Sequence, residues 1–317
     1  MPPLRVAVVD AAQSVVLETL RDAHGRGFIE PRLIGDRHAI EGLCNDLGWT
    51  PEPDWIVPAS SDAEAAATAV GLVRTGRAEL IMKGEIHTDA LMHALLDKDH
   101  GLRLPGQRVS HLFVAEVPTY PKLLGITDAA INIAPDLNAK AEILQNAIAV
   151  FHLLGIETPK VALLSALETI NPAIISTVDA ACLTLMARRG QITGALVDGP
   201  LALDNAISRR AADEKRIVSQ VAGDADILLV PELVSGNILA KELEYLAGAI
   251  AAGIALGLAA PVVLSSRADP LPARLASLAL AVLLHHWTPD ARPKASPPDV
   301  SLQSAPQPER ACCPLPA

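Results

Sequence analysis

Short apolar runs alternate with longer stretches of helical period along most of the chain. "LRVAVVD" precedes a helical pattern over 12–24, "RLIGD" one over 36–48, and "AELIMKG" the segment "HTDALMHALL"; "RVSHLFVAEV" follows. The order continues with "DAAINIA" before 137–154, "KVALLSAL" before 172–190, "ITGALVDGP", "ADILLVPEL" before 235–251, and "PVVLSS" before 270–286. The short runs are apolar at successive positions rather than alternate ones, so both faces of each strand are covered. Strand-helix alternation of this kind predicts an α/β fold with a mainly parallel sheet between helix layers. Some nine or ten strands are many for one open sheet and predict two α/β/α domains with a cleft between them. The least compact stretch, "EVPTYPKLLGIT" at 116–127, marks the first crossing, and a return of the last strand marks a second near 255. Residues 1–120 with 256–287 then make the first α/β domain and 121–255 the second. From Thr288 onward the chain is proline-rich without apolar periodicity, and 288–317 reads as a disordered tail.

One apolar segment departs from this rhythm. "YLAGAIAAGIALGLAAPVVL", residues 245–264, carries no charge and places Gly253 and Gly257 in G-x-x-x-G spacing. Pro261 splits it, and its Ala and Gly content predicts a helix lying flat on a sheet or partner, followed by a buried strand, rather than a membrane span.

Composition narrows the partners. The 317 residues are 50% apolar, enough for a large core, and the formal charge of −10 argues against nucleic acid or an anionic membrane surface as a partner. Cys44, Cys182, Cys312 and Cys313 show neither a disulfide framework nor paired C-x-x-C spacing. A cytoplasmic, reducing location is expected, and the apolar run in "MPPLRVAVVDAAQ" is cut by Asp10 too early for an export signal.

Several strand ends share one chemical style. Lys83 and Gly84 follow a strand, with Thr88 placed to cap the next helix; Asp198, Gly199 and Pro200 follow another; Ser235, Gly236 and Asn237 precede a helix. Backbone N–H groups beside a helix start attract anions, which suggests sites for phosphate-like groups, although each piece alone also reads as a turn. "PVVLSSRADP" ends an apolar strand in Ser265, Ser266, Arg267 and Asp269, where open α/β sheets carry their chemistry. There is no P-loop, no G-x-G-x-x-G after the first strand and no G-x-S-x-G elbow. His87 and His93 are six apart without a third acidic ligand, so no metal site is expected. His111 in "RVSHLFVAE" reads either as a polar ligand at mid-strand or as a satisfied core histidine.

Taken in order, "MKGEIHTDALMHALL", "RVSHLFVAEVPTYPKLLGITDAAINIAPDLNAKAEILQNA", "ARRGQITGALVDGPLALDNAIS", "DADILLVPELVSGNILAKELEYLAGA" and "APVVLSSRADP" resemble the phosphate acetyltransferase and phosphate butyryltransferase family over roughly 75–285, with the butyryl-type branch favoured. The resemblance implies an isopropylmalate dehydrogenase-like pair of domains, usually dimeric, and the reaction acyl-CoA + phosphate ⇌ acyl phosphate + CoA for a short-chain acyl group. It implies CoA and acyl-CoA as substrates, with no metal and no permanently bound cofactor. Ser266 and Arg267 match the family's catalytic pair. Lys83, Ser110 and Asn237 are expected to position phosphate or CoA, and Asp198 to face CoA or stabilise its turn. The family's proposed base, an Asp a few residues beyond the pair, falls on Ala273 here. A metal-assisted NAD-dependent dehydrogenase on the same fold and a non-catalytic CoA-binding relative are the alternatives.

Overall fold

The chain forms the predicted alternation of strands and helices. The structure is a computed structural model describing residues 2–266 and 268–287. The expected tail at 288–317, with Cys312 and Cys313, and the expected catalytic Arg267 lie outside the described residues.

The first half of the chain runs β1 (Leu4–Val9), α1 (Ser14–Gly25), β2 (Ile29–Gly35), α2 (Arg37–Asp46), β3 (Ile56–Pro58), α3 (Asp62–Arg74), β4 (Leu80–Lys83), α4 (Thr88–Leu96), β5 (Ser110–Glu116), β6 (Leu124–Thr127) and α5 (Leu137–Leu153). It continues through β7 (Lys160–Leu164), α6 (Ile175–Arg188), β8 (Leu196–Leu201), α7 (Leu203–Ile207), α8 (Arg209–Glu214), β9 (Ile227–Leu229), α9 (Leu233–Tyr245), β10 (Ile250–Leu256), β11 (Val262–Val263) and α10 (Leu271–His286). Helix starts follow local chemistry: the side chains of Asp36, Ser61 and Asp136 accept the N–H three residues on, and cap α2, α3 and α5.

The eleven strands of the described residues hydrogen-bond into one mixed sheet, in the order β3-β2-β1-β4-β11-β10-β5-β6-β9-β7-β8. Pairing is parallel towards both ends and antiparallel in the centre, at β11–β10, β10–β5 and β5–β6. One face of this sheet carries a single continuous core. There Leu17 and Leu20 of α1, Phe151 of α5, Leu183 of α6 and Leu278 of α10 join Val6, Leu112, Ile254, Val161 and Ile227. On the other face the cover is split. Ala66 and Ala69 of α3 and Leu91 and Leu95 of α4 pack on Ala7, Ile81 and Val262, whereas Leu239 and Ala240 of α9 and Ala212 of α8 pack on Ala115, Leu228 and Ala251. Between these two cores the centre of the sheet is left open to a cleft.

The central strands correct two expectations. Residues 250–256 form β10 and not a helix, and α9 stops at Tyr245. The Ala-Gly composition suits a strand here because β10 lies between β5 and β11, where small side chains let helices approach on one side and leave room on the other. Gly257 ends the strand at φ +79, and a Cβ there would overlap the Arg108 carbonyl. Likewise the buried strand before α5 is Leu124–Thr127, within the stretch expected to be least compact, and "DAAINIA" is a loop. That loop wraps the buried Asp128 carboxylate, which accepts from the N–H groups of Ala130 at 2.9 Å, Ile131 at 3.0 Å and His111 at 3.1 Å. A segment that spends its amides on a side chain has none left for a strand ladder. Among the described residues no helix is long and apolar enough to cross a membrane.

Gly257→Ala is expected to cost about 1–3 kcal/mol through overlap and a disfavoured φ, read as a lower urea midpoint at unchanged slope. An unchanged midpoint would show that the turn after β10 re-forms without glycine.

Candidate active site

The cleft is built at the carboxyl ends of β4 and β11. Their parallel register sets Ile81 against Val262 and Met82 against Val263, so both strands stop at one level. Lys83 therefore emerges beside Ser265, whose Oγ donates to the Lys83 carbonyl at 3.4 Å. Behind β11 the chain turns sharply: the Ser266 N–H donates to Asp269 Oδ2 at 2.6 Å, and the Ser266 Oγ accepts from the Ala268 N–H at 3.5 Å.

A buried arginine fastens this turn. Arg274, in the first turn of α10, is 1% exposed. Its Nε donates to the Asp269 carbonyl at 3.1 Å, Nη1 to Ser265 Oγ at 3.2 Å and Nη2 to the Ser266 carbonyl at 2.8 Å. Burial lowers the pKa of this guanidinium, and the Asp269 carboxylate opposes the shift. A planar fork can reach several carbonyls of one turn at once, which a lysine ammonium on a flexible stem does not reproduce.

The other walls come from helix starts and the central strand. His87 and Thr88 stand at the head of α4, and Asn237 and Lys241 lie one turn apart on α9, facing a cleft of about 350 Å³. Asn237 Nδ2 donates to the Ala129 carbonyl at 3.4 Å. Lys241 Nζ lies 2.7 Å from Glu244 and 3.7 Å from Asp269, bridging α9 to the Ser266 turn. Burial works against the Lys241 ammonium, but Glu244 and then Asp269 outweigh it, and its pKa stands above the ordinary lysine value. The floor is His111 and Phe113 of β5, with Ile86 and Leu264 at its sides.

Of the expected site residues, Lys83, Asn237 and Ser266 line this cleft, together with Asp269. The others sit elsewhere. Ser110 is next to His111 but on the opposite sheet face, where its Oγ accepts from Asn146 Nδ2 at 2.9 Å. Asp198, Gly199 and Pro200 belong to β8, the far edge strand, and Gly199 is small because a Cβ would lie 2.6 Å from the Leu163 Cβ. Gly84 supports the site from behind, since a Cβ there would overlap the Asp10 carbonyl. Gly236 brings α9 close to the Asp128 loop, a Cβ falling 3.0 Å from the Asp128 carbonyl, while Ser235 is engaged in the helix cap, its N–H donating to Glu232 Oε1 at 2.8 Å. Ala273 is buried in α10. His87 and His93 diverge, His93 facing a separate hollow along α4. Among the described residues no three His, Cys, Asp or Glu side chains are grouped as metal ligands.

Sequence reasoning missed Arg274, Lys241 and Asp128. A lone arginine inside the apolar "PLPARLASLAL" and a lysine four residues after Asn237 were the available signals.

Residues 59–282 match the family model described as phosphate acetyl/butaryl transferase. The chain belongs to this family. It is 47% identical over 287 residues to a phosphate acetyltransferase of Rickettsia felis, covering 90% of this chain and 82% of the relative. It is 43% identical over 280 residues to a phosphate butyryltransferase of Clostridium acetobutylicum, covering 88% and 93%. In structure it is similar to a branched-chain phosphotransacylase from Enterococcus faecalis, with TM-score 0.76 and 34% identity over 89% of this chain and 99% of that one. Within a phosphate acyltransferase family, the cleft that gathers Ser266 and Lys83 is the candidate active site.

Arg274→Lys is expected to loosen the turn it fastens. Hydrogen bonds to charged groups contribute about 1.5–3 kcal/mol, so amide exchange at Ser266 and Asp269 should quicken by roughly tenfold or more in hydrogen-exchange mass spectrometry. Unchanged exchange there would assign the fastening to other contacts.

Proposed function

We propose that the protein exchanges coenzyme A and phosphate on a short-chain acyl group, acyl-CoA + phosphate ⇌ acyl phosphate + CoA. The family match across 59–282, with relatives acting on acetyl and butyryl groups, carries this reading. In the direction of acyl phosphate synthesis a phosphate oxygen attacks the thioester carbonyl, and the thiolate departs. Negative charge gathers first on the carbonyl oxygen and then on sulfur, so donors and cations aimed at those atoms lower the barrier.

The assigned roles follow from that charge flow. Ser266 Oγ, at the exposed tip of the turn, is the hydrogen-bond donor to the reacting carbonyl or to the thiolate. Arg267, adjacent in sequence, is the bidentate phosphate clamp. Lys83 and Asn237 position phosphate or CoA. Asp269 holds the Ser266 N–H at 2.6 Å and pairs with Lys241, a supporting role rather than that of the family's missing base. The covering helices support the division into a first lobe of 1–120 with 256–287 and a second of 121–255, since α3 and α4 cover one core and α8 and α9 another, while Phe113 and Ala115 of β5 belong to the second core.

The same reading includes a homodimer. Val234, Ile238, Tyr245, Leu246 and Ile250 all stand exposed along α9 and the start of β10, an apolar stretch of the kind subunits cover. The free thiols of Cys44 and Cys182 agree with a cytoplasmic location.

Release of free CoA thiol from acetyl-, propionyl- and butyryl-CoA tests the activity. It should require phosphate and fall about 10²–10³-fold in Ser266→Ala, the loss typical of one oxyanion donor. Thiol release that ignores phosphate would overturn the acyltransferase reading. Leu246→Glu should shift the light-scattering mass from dimer to monomer, and a wild-type protein already monomeric would refute the dimer.

A further inference from the structure

His111 lines the cleft floor and is fully buried, yet neither of its ring nitrogens has a hydrogen-bond partner among the described residues. Buried polar atoms are nearly always satisfied, so an exception facing a cleft points to something that binds there. The other such buried atoms among the described residues, on Gln13, Asn205 and His286, do not line it. The fold holds this residue firmly by its backbone. Its N–H donates to Asp128 Oδ2 at 3.1 Å and its carbonyl accepts from Thr127 Oγ1 at 2.8 Å. The ring plane is set by an edge contact with Phe113 at 4.5 Å between centroids, and Gly253 makes way for it, since a Cβ there would lie 3.3 Å from Nε2. Position and orientation are thus fixed while the polar atoms are left over.

We propose that His111 is a catalytic hydrogen-bond donor, giving an imidazole N–H to the carbonyl oxygen of the acyl group bound on the floor. This rests on the acyltransfer reading above. Around the ring the floor is apolar, formed by Ile86, Phe113 and Leu264, which suits an acyl group and its carbonyl better than a phosphate dianion. Burial keeps the imidazole neutral, with a pKa lowered to about 4 against the pull of the Asp128 carboxylate. A neutral ring has one N–H, and with neither nitrogen engaged either tautomer can present it. When a hydrogen phosphate oxygen bonds to the carbonyl carbon, the π pair moves onto the carbonyl oxygen, which accepts from His111. Collapse breaks the C–S bond, the phosphate proton ends on the departing sulfur, and His111 keeps its own proton.

His111→Phe, His111→Asn and His111→Gln separate donation from packing. Phe keeps a flat ring and should lose about 10²–10³-fold in kcat with the phosphate KM little changed, as for a lost oxyanion donor. Asn or Gln, which return an N–H near one ring nitrogen, should recover at least about tenfold of that loss. A Phe variant with wild-type kcat, in an enzyme that is itself active, overturns this proposal alone. A wild-type enzyme without phosphate-dependent turnover overturns the functional reading and the proposal together. The infrared carbonyl stretch of [1-¹³C]acetyl-CoA bound to the wild-type enzyme gives a second readout that needs no variant. It should lie below its solution position, and a stretch at the solution position overturns the proposal even if the Phe variant does not fold.

Discussion

A sheet face buried on one side by a continuous core and on the other by two separate cores leaves its middle strands half covered, and the rest of the molecule follows from that gap. Hydrophobic burial is roughly proportional to area, so an uncovered stretch of apolar strand would be a liability. Here the strands at the gap answer it with their composition. β10 offers Ala251, Gly253 and Ala255 on that side, and β5 offers a histidine between apolar neighbours. The surface left open is small and partly polar, which makes a lined cleft out of what would otherwise be a packing defect.

Polar groups reach the gap by a different route from the one that builds its floor. Ser266 is delivered by a strand of only two residues, Val262–Val263, and so short a strand fixes little beyond itself. The fixing falls to Arg274, whose guanidinium ties three points of the following turn to α10, and to Lys241, which links the turn's Asp269 to α9. The site thus depends on charge held in low-dielectric surroundings, where such contacts are strong and where losing one partner is costly.

This division explains what the sequence made legible. Runs that are apolar at successive positions, such as "LRVAVVD" and "KVALLSAL", declared buried strands, and the polar ends of two of them led to Lys83 and Ser266. Where the fold asked for small residues the same reasoning misread the segment, since Ala251, Ala252 and Ala255 favour a helix until neighbouring strands impose pairing. Ser110 and His111 show the limit most plainly. They are adjacent in one run, and only the register of β5 decides that one faces a helix and the other the cleft. Arg274 and Asp128 were hidden for a related reason, because most of their partners are backbone groups that carry no sequence signal.

An imidazole buried without a protein partner also has a meaning for the fold as a whole. Desolvation without a compensating bond weighs against the native state by about 1–3 kcal/mol, out of a net stability of only about 5–15. A phenylalanine in that place would make a quieter core. Placing His111 on the floor surrenders folding stability at a position where the proposed acyl carbonyl would restore it, so binding of the acyl substrate is expected to tighten the fold.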